Sequence, residues 1–233
     1  MKKTLIVLLG LVISFGFAQD KKAEKIFNQY VEAIGGKAKM EKVQSILKKF
    51  TAKQMGQEIP MEMYASRKGE MYQKMSMMGM EMVVMAIKDG KGFVLNQQMG
   101  YDDLDEEKLK EFTQNISLFD MAEKYDNMKL EYVGQKEKDG KKYEVIKAVS
   151  DKGDESFLYF DSGTHLLRYV IVKSDQGEVE TELSDYKEID GIKIPMKTTV
   201  RMGGQVVSEI TTTEVIFNPG KDQIDENAFV KPE

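Results

Sequence analysis

The chain has 233 residues, of which 41% are hydrophobic and 31% charged, and its net charge is −5. No Cys and a single His exclude thiol nucleophiles, disulfides, a cysteine lipid anchor and multi-histidine or thiolate metal sites. The acidic balance argues against a nucleic-acid binder, the charged fraction excludes a polytopic membrane protein, and 17 Met stand out.

Residues 1–18 read as a signal peptide. Lys2 and Lys3 precede an apolar run, and Gly16-Phe17-Ala18 supplies small residues at the cleavage positions. The run is too short for a comfortable membrane span of roughly 20 residues. Cleavage after Ala18 leaves residues 19–233 as a single exported domain that is periplasmic and not lipid-anchored. Two domains divided near residue 100 are the alternative.

Residues 20–34 show helical spacing of Ala23, Ile26, Phe27, Tyr30, Val31 and Ile34, ended by Gly35-Gly36. A short helical piece follows at 37–43. About five strands then run from Ile46 to Asn96, separated by Gly56, Lys68-Gly69, Gly79 and Asp89-Gly90. Residues 102–124 predict a helix with a stripe of Leu109, Phe112, Ile116 and Phe119, and Asp103 with Glu106 at its cap. About seven strands fill 130–217 between Asp139-Gly140, Ser162-Gly163, Gln176-Gly177, Asp190-Gly191 and Gly203-Gly204. The tail reads as irregular, anchored by Phe229. A long antiparallel meander with apolar-faced helices predicts one curved sheet wrapped around them.

Signals for catalysis are weak. Gly35-Gly36-Lys37 lacks the Ser or Thr of a phosphate loop, His165 sits in a turn without a nucleophile, and the acids at 102–107 lack calcium-loop spacing. The methionines are more informative. Eleven of the 17 fall between Met55 and Met99, and Met61 and Met63, Met75 and Met77, and Met80 and Met82 are spaced by two, which places each pair on one strand face. Three readings remain open: adaptable core filling, a soft cavity for flexible lipid chains, or Cu(I) binding through converging thioethers.

Several segments carry a resemblance. They are Tyr30-Val31-Glu32-Ala33-Ile34-Gly35-Gly36 with Val43-Gln44-Ser45-Ile46, then Tyr159-Phe160-Asp161 with Thr164-His165-Leu166-Leu167-Arg168. Asp185-Tyr186-Lys187 with Asp190-Gly191-Ile192-Lys193-Ile194-Pro195 follows, and Asn218, Phe229 and Pro232 close the set. Together they resemble the LolA/LolB-like superfamily of periplasmic lipoprotein carriers and outer-membrane lipoprotein-sorting proteins, over nearly all of residues 24–233. The resemblance implies an incomplete antiparallel β-barrel of about eleven strands, closed on its concave side by helices acting as a lid over an apolar acyl-chain cavity. None of the three arginines, Arg67, Arg168 and Arg201, is assigned to the family's lid-contacting arginine.

The expected function is a periplasmic carrier or chaperone for lipoprotein acyl chains or other lipid, sorting cargo to the outer membrane. Met61, Met63, Met75, Met77, Met80 and Met82 would line its cavity, and Phe112, Ile116 and Phe119 would form the lid. It would be a monomer that uses inner- and outer-membrane transfer partners, with no nucleic acid, catalytic residue, metal or cofactor. The alternatives are a non-carrier sensor module on the same fold and a methionine-rich copper-binding protein.

Overall fold

The computed structural model describes residues 20–54, 56–96, 98–114, 116–119, 122, 123, 125, 128–150, 153–174 and 177–232. The signal-peptide reading, Met55, Lys124 and Gln176 therefore lie outside the described residues. Helices α1 (Lys21–Ala33) and α2 (Lys37–Met40) precede six strands: β1 (Ser45–Gln54), β2 (Gln57–Ser66), β3 (Met71–Met77), β4 (Met80–Lys88), β5 (Lys91–Leu95) and β6 (Tyr101–Asp103). Helix α3 (Glu106–Gln114) leads to β7 (Lys129–Lys138), β8 (Lys141–Val149), β9 (Glu155–Asp161) and β10 (Leu167–Ser174). The last strands are β11 (Gly177–Ile189), β12 (Ile192–Met202) and β13 (Gln205–Phe217).

Among the described residues thirteen strands form one antiparallel sheet in the order β6-β5-β4-β3-β2-β1-β13-β12-β11-β10-β9-β8-β7. It is a curved, open sheet with helices, matching the incomplete barrel expected from the sequence. Two meanders meet at a central seam where β1 pairs with β13, Ile46 facing Phe217. Asn218 clasps that seam. Its side-chain oxygen accepts from the Gln44 N–H at 2.6 Å and the Ser45 N–H at 3.3 Å, and its amide donates to the Lys42 carbonyl at 3.3 Å.

Helix α1 lies on the concave face because its apolar stripe needs a partner. Asp20 caps it, accepting from the N–H groups of Lys22 and Ala23, while its second oxygen accepts from Tyr132 N–H in β7 at 2.9 Å. That last bond is the largest reason the Asp20 carboxyl is held below its usual range. Ala23, Ile26, Phe27, Tyr30 and Ile34 are buried against Ile146, Leu158, Phe160, Leu183 and Ile192 of the sheet.

The helix ends against the β11–β12 turn. Gly35 has a φ of 131°, and a Cβ added there would meet the Gly191 carbonyl oxygen at 2.5 Å. Both terms oppose any side chain: a left-handed backbone costs an L residue about 1–2 kcal/mol, and here backbone rather than a movable side chain must give way. Gly35→Ala is expected to lose about 2–3 kcal/mol of stability in urea denaturation.

Two corrections concern the segment expected to be helical over 102–124. Tyr101–Asp103 is an edge strand instead, so the helix follows the sixth strand rather than the fifth. The cap is Asp105, whose carboxylate accepts from Lys108 N–H at 2.8 Å, not Asp103. The regular helix stops at Gln114. Beyond it, one Glu123 oxygen gathers the Ser117 hydroxyl and the Leu118 and Phe119 N–H groups, and Leu118 and Phe119 drop into the main core. Their apolar spacing continues the helical stripe by coincidence of anchoring.

The convex side holds a second core under the C-terminal segment. Phe229 of the short helix Glu226–Phe229 meets the rings of Tyr64 and Tyr72 edge-on at 6.2 and 5.3 Å, as the expected anchor of the tail. Asp225 pairs with Lys74 at 2.9 Å. The Lys74 hydrogen bond is the main cause holding the Asp225 carboxyl below its ordinary 3.8, with burial opposing. The folded state therefore prefers the ionised form. That contribution is complete above pH 3.8 and is lost as pH falls through the lower folded value. Asp225 is 34% exposed, so water screens the pair. Asp225→Asn is expected to cost about 1 kcal/mol at neutral pH. Denaturation curves of variant and parent should converge in strong acid.

Candidate functional site

Strand parity decides which face the methionines occupy. Ala65 of β2 lies in the main core under α1, and Met71 packs against that core, so their faces are concave. Alternation carries Met61 and Met63 in β2 and Met75 and Met77 in β3 to the same side. In β4, Met71 pairs with Ile87 and Gln73 with Met85, but Met75 pairs with Met82 and Met77 with Met80. The register shift between Gln73 and Lys74 absorbs one extra residue of β4. Without that bulge, Met80 and Met82 would lie on the opposite face from Met85 and Ile87.

All six named methionines thus share the concave face. Phe50, Met61, Met75 and Met82 stand in one lateral row across β1, β2, β3 and β4. A spacing of about 4.8 Å per strand makes the row roughly 14 Å long. Its members are half-buried, and Ile59, Val200 and Ile210 extend the apolar surface beside it. Toward the β3–β4 turn the face opens to solvent: Met77 is 37% exposed and Met80 63%. Toward the other end it passes under the helices and becomes the closed core.

Of the three residues expected in the lid, Ile116 and Phe119 both join the main core, while Phe112 lies on α3 outside that cluster. Phe112 is half-buried on α3, which docks at the β2–β3 turn: a Cβ on Gly69 would lie 3.6 Å from Thr113. That turn is at the opposite end of β3 from Met77, roughly 20 Å away. Ile116 packs against the main core beyond the helix. Phe119 is buried there, its ring 5.8 Å from that of Phe217. The sequence reading missed Phe50, Ile59 and Met85. Phe50 and Ile59 were accessible from alternation; Met85 required the bulge.

Arg67 is the arginine that touches the segment between α3 and β7. It donates through Nε to the Val43 carbonyl at 2.8 Å, and its guanidinium bridges to Glu123. Burial would raise the Glu123 carboxyl, but Arg67, Ser117 and the Phe119 N–H outweigh it and hold it low. A cleft of about 440 Å³ lies here, lined by Val31, Met40, Arg67, Ala122 and Glu123 among others. A shallower, open hollow of about 710 Å³ on the outer side of α1 contains His165 with Lys21, Glu24 and Asn28. Arg168 and Arg201 belong instead to a convex ion network with Glu180 and Glu182.

Among the described residues no group of three His, Asp or Glu is placed to hold a metal ion. Among them too, no helix is long and apolar enough to cross a membrane. Chemically, the concave face offers unbranched thioether chains, one aromatic ring and aliphatic side chains with no charge in the row. Such a surface re-packs readily around a flexible apolar ligand.

No protein-family model and no curated protein matches the chain in sequence. Solved structures do match its fold. One is a domain assigned to outer membrane lipoprotein sorting from Vibrio parahaemolyticus, with a TM-score of 0.57 and 12% identity over 90% of this chain and 97% of that one. Another is a DUF1329 family protein from Desulfovibrio piger, with a TM-score of 0.55 and 11% identity over 89% of this chain and 96% of that one. A LolA superfamily protein from Nitrosomonas europaea has a TM-score of 0.55 and 11% identity, covering 86% and 95%. At such identities the likeness establishes the fold, which is LolA-like.

Proposed function

On this LolA-like fold, we propose that the protein is a periplasmic carrier of acyl chains, those of exported lipoproteins or of free lipid. The observation that carries the reading is the row of Phe50, Met61, Met75 and Met82, apolar, half-exposed and continuous with the solvent-open end of the concave face. Burying a chain of about 14 methylenes is worth roughly 11 kcal/mol, enough to hold it out of water. The helices and the Arg67–Glu123 pair close one end of the concave face, so cargo would enter from the other. Release then depends on a better acceptor, since no nucleotide-binding motif is present in the sequence.

Native extraction followed by lipid mass spectrometry, with uptake of a fluorescent fatty acid, tests this directly. Absence of both copurified lipid and fatty-acid uptake would refute the carrier. The same row also brings the thioethers of Met61, Met75 and Met82 side by side, which keeps a copper reading in view. Replacing Met61, Met75 and Met82 by Leu separates the two, because leucine keeps the apolar surface and removes the sulfur.

A further inference from the structure

Sulfur in this chain is methionine sulfur alone, since 17 Met stand against no Cys. A thioether does two things that a hydrocarbon side chain does not: it binds soft metals and it takes up oxygen. Oxygen uptake is governed by access, and the methionines here are graded by it. Met78 is 94% exposed, ahead of Met80 at 63% and Met77 at 37%, while Met61, Met75 and Met82 are half-buried. Met40 and Met196 lie in the closed core.

The gradient follows the sheet. Met77 pairs with Met80 and Met75 with Met82, so two successive rungs of the β3–β4 hairpin carry four thioethers on the concave face. Same-face neighbours along a strand are roughly 7 Å apart. Met61 continues the inner rung into β2. Thioethers therefore run without a break from solvent into the row proposed to hold cargo. The turn adds one more. Asp89, Asp139 and Asp190 occupy the first left-handed position of their turns at φ 48–52°, a place that suits a short polar side chain. The equivalent position of the β3–β4 turn holds Met78, at φ 54°. So exposed a side chain packs on almost nothing, and its thioether is the first that an oxidant meets. What methionine adds over leucine at such positions is the sulfur, because flexibility matters only where there is something to pack against.

We propose that this hairpin is an oxidation-sensitive switch on loading: a peroxide converts the thioethers of Met75, Met77, Met80 and Met82 to sulfoxides, and the empty carrier then takes up no acyl chain. In each event the sulfur lone pair attacks one oxygen of hydrogen peroxide. An S–O bond forms, the O–O bond breaks, and the two electrons that sulfur gives up leave with the second oxygen. That oxygen collects the proton from the first and departs as water. A dithiol, acting through a methionine sulfoxide reductase, reverses the change: two thiols become a disulfide and the oxygen leaves as water. The sulfoxide oxygen is a strong acceptor, and covering it with a hydrocarbon chain that offers no donor disfavours binding. The fold is spared, because Met40 and Met196 are out of reach and the four thioethers stand toward the open end of the face. Bound cargo covers the inner rung, so oxidation acts on the empty protein. The inference rests on the carrier reading and gives it a condition under which loading stops.

The test treats the purified protein with hydrogen peroxide, maps sulfoxides by peptide mass spectrometry and titrates the product with a fluorescent fatty acid. Met78 and Met80 should oxidise first, Met77, Met75 and Met82 later, and Met40 and Met196 last. Affinity should fall at least about tenfold as the four hairpin sites fill, and methionine sulfoxide reductase with dithiothreitol should restore it. Fatty acid added before peroxide should slow oxidation of Met75 and Met82 and not of Met78. The Met75→Leu/Met77→Leu/Met80→Leu/Met82→Leu variant, compared with its own untreated state, should lose less than about twofold on the same treatment. Unchanged affinity with the four sites oxidised, an equal loss in the leucine variant, or a loss that repair does not reverse would each overturn the switch. So would unfolding on oxidation, read by circular dichroism. A parent that takes up no fatty acid before treatment would refute the carrier and the switch together, whereas uptake that survives oxidation would refute the switch alone.

Discussion

Phe160→Ala will lower stability by about 3–5 kcal/mol, the largest loss expected of any single truncation in the main core. Phe160 is 1% exposed, and its ring lies 6.5 Å from Phe27, edge-on, and 5.4 Å from Tyr30. Two rings of α1 therefore rest on one ring of β9, and truncation leaves a void beneath the helix that neighbouring strands cannot fill without breaking their ladders. At about 2–4 °C per kcal/mol, the melting temperature should fall by about 6–20 °C. Phe157 offers the control, since it is half-buried on the convex side of the same strand, where no helix depends on it. A loss under about 1 kcal/mol for Phe160→Ala would mean that α1 does not rest on the sheet as described.

Met75→Asp should weaken fatty-acid binding by about 30-fold while leaving the fold nearly untouched. The side chain is half-exposed at the middle of the methionine row, with Met61 on one side and Met82 on the other. An ionised carboxylate there keeps its water, because desolvating it without a partner costs more than the chain contact returns. Holding two or three methylenes away from the sheet removes about 2 kcal/mol. Met75→Leu keeps the apolar area and should bind within about threefold of the parent. A titration with fluorescent fatty acid reads both variants, and unchanged affinity in the aspartate variant would remove the row from the binding surface.

The strands were legible because their signals are local. Asp89-Gly90, Asp139-Gly140 and Asp190-Gly191 sit between alternating runs, and only a left-handed turn suits that pairing. Three-residue β6 was not legible: Asp102 and Asp103 look like the acidic start of a helix. Nor was the seam, since nothing near Ile46 announces a partner at Phe217. The shared face of each methionine pair followed from alternation alone. That Met80 and Met82 sit beside Met75, and that Met85 joins them, depended on a bulge for which the sequence carries no plain signal. Phe112, Ile116 and Phe119 were grouped by helical period, but Phe119 and Leu118 are anchors of an irregular segment, and burial there follows tertiary packing.

The seam between β1 and β13 also sets when the molecule can exist. Its register joins residue 46 to residue 217, so the middle of the sheet is absent until nearly the whole chain has been made. Either meander alone would have an unpaired edge at its centre, and pairing across so long a loop is slow. Under the export proposed above for this carrier, that order of assembly is favourable: the last strand to arrive completes the first.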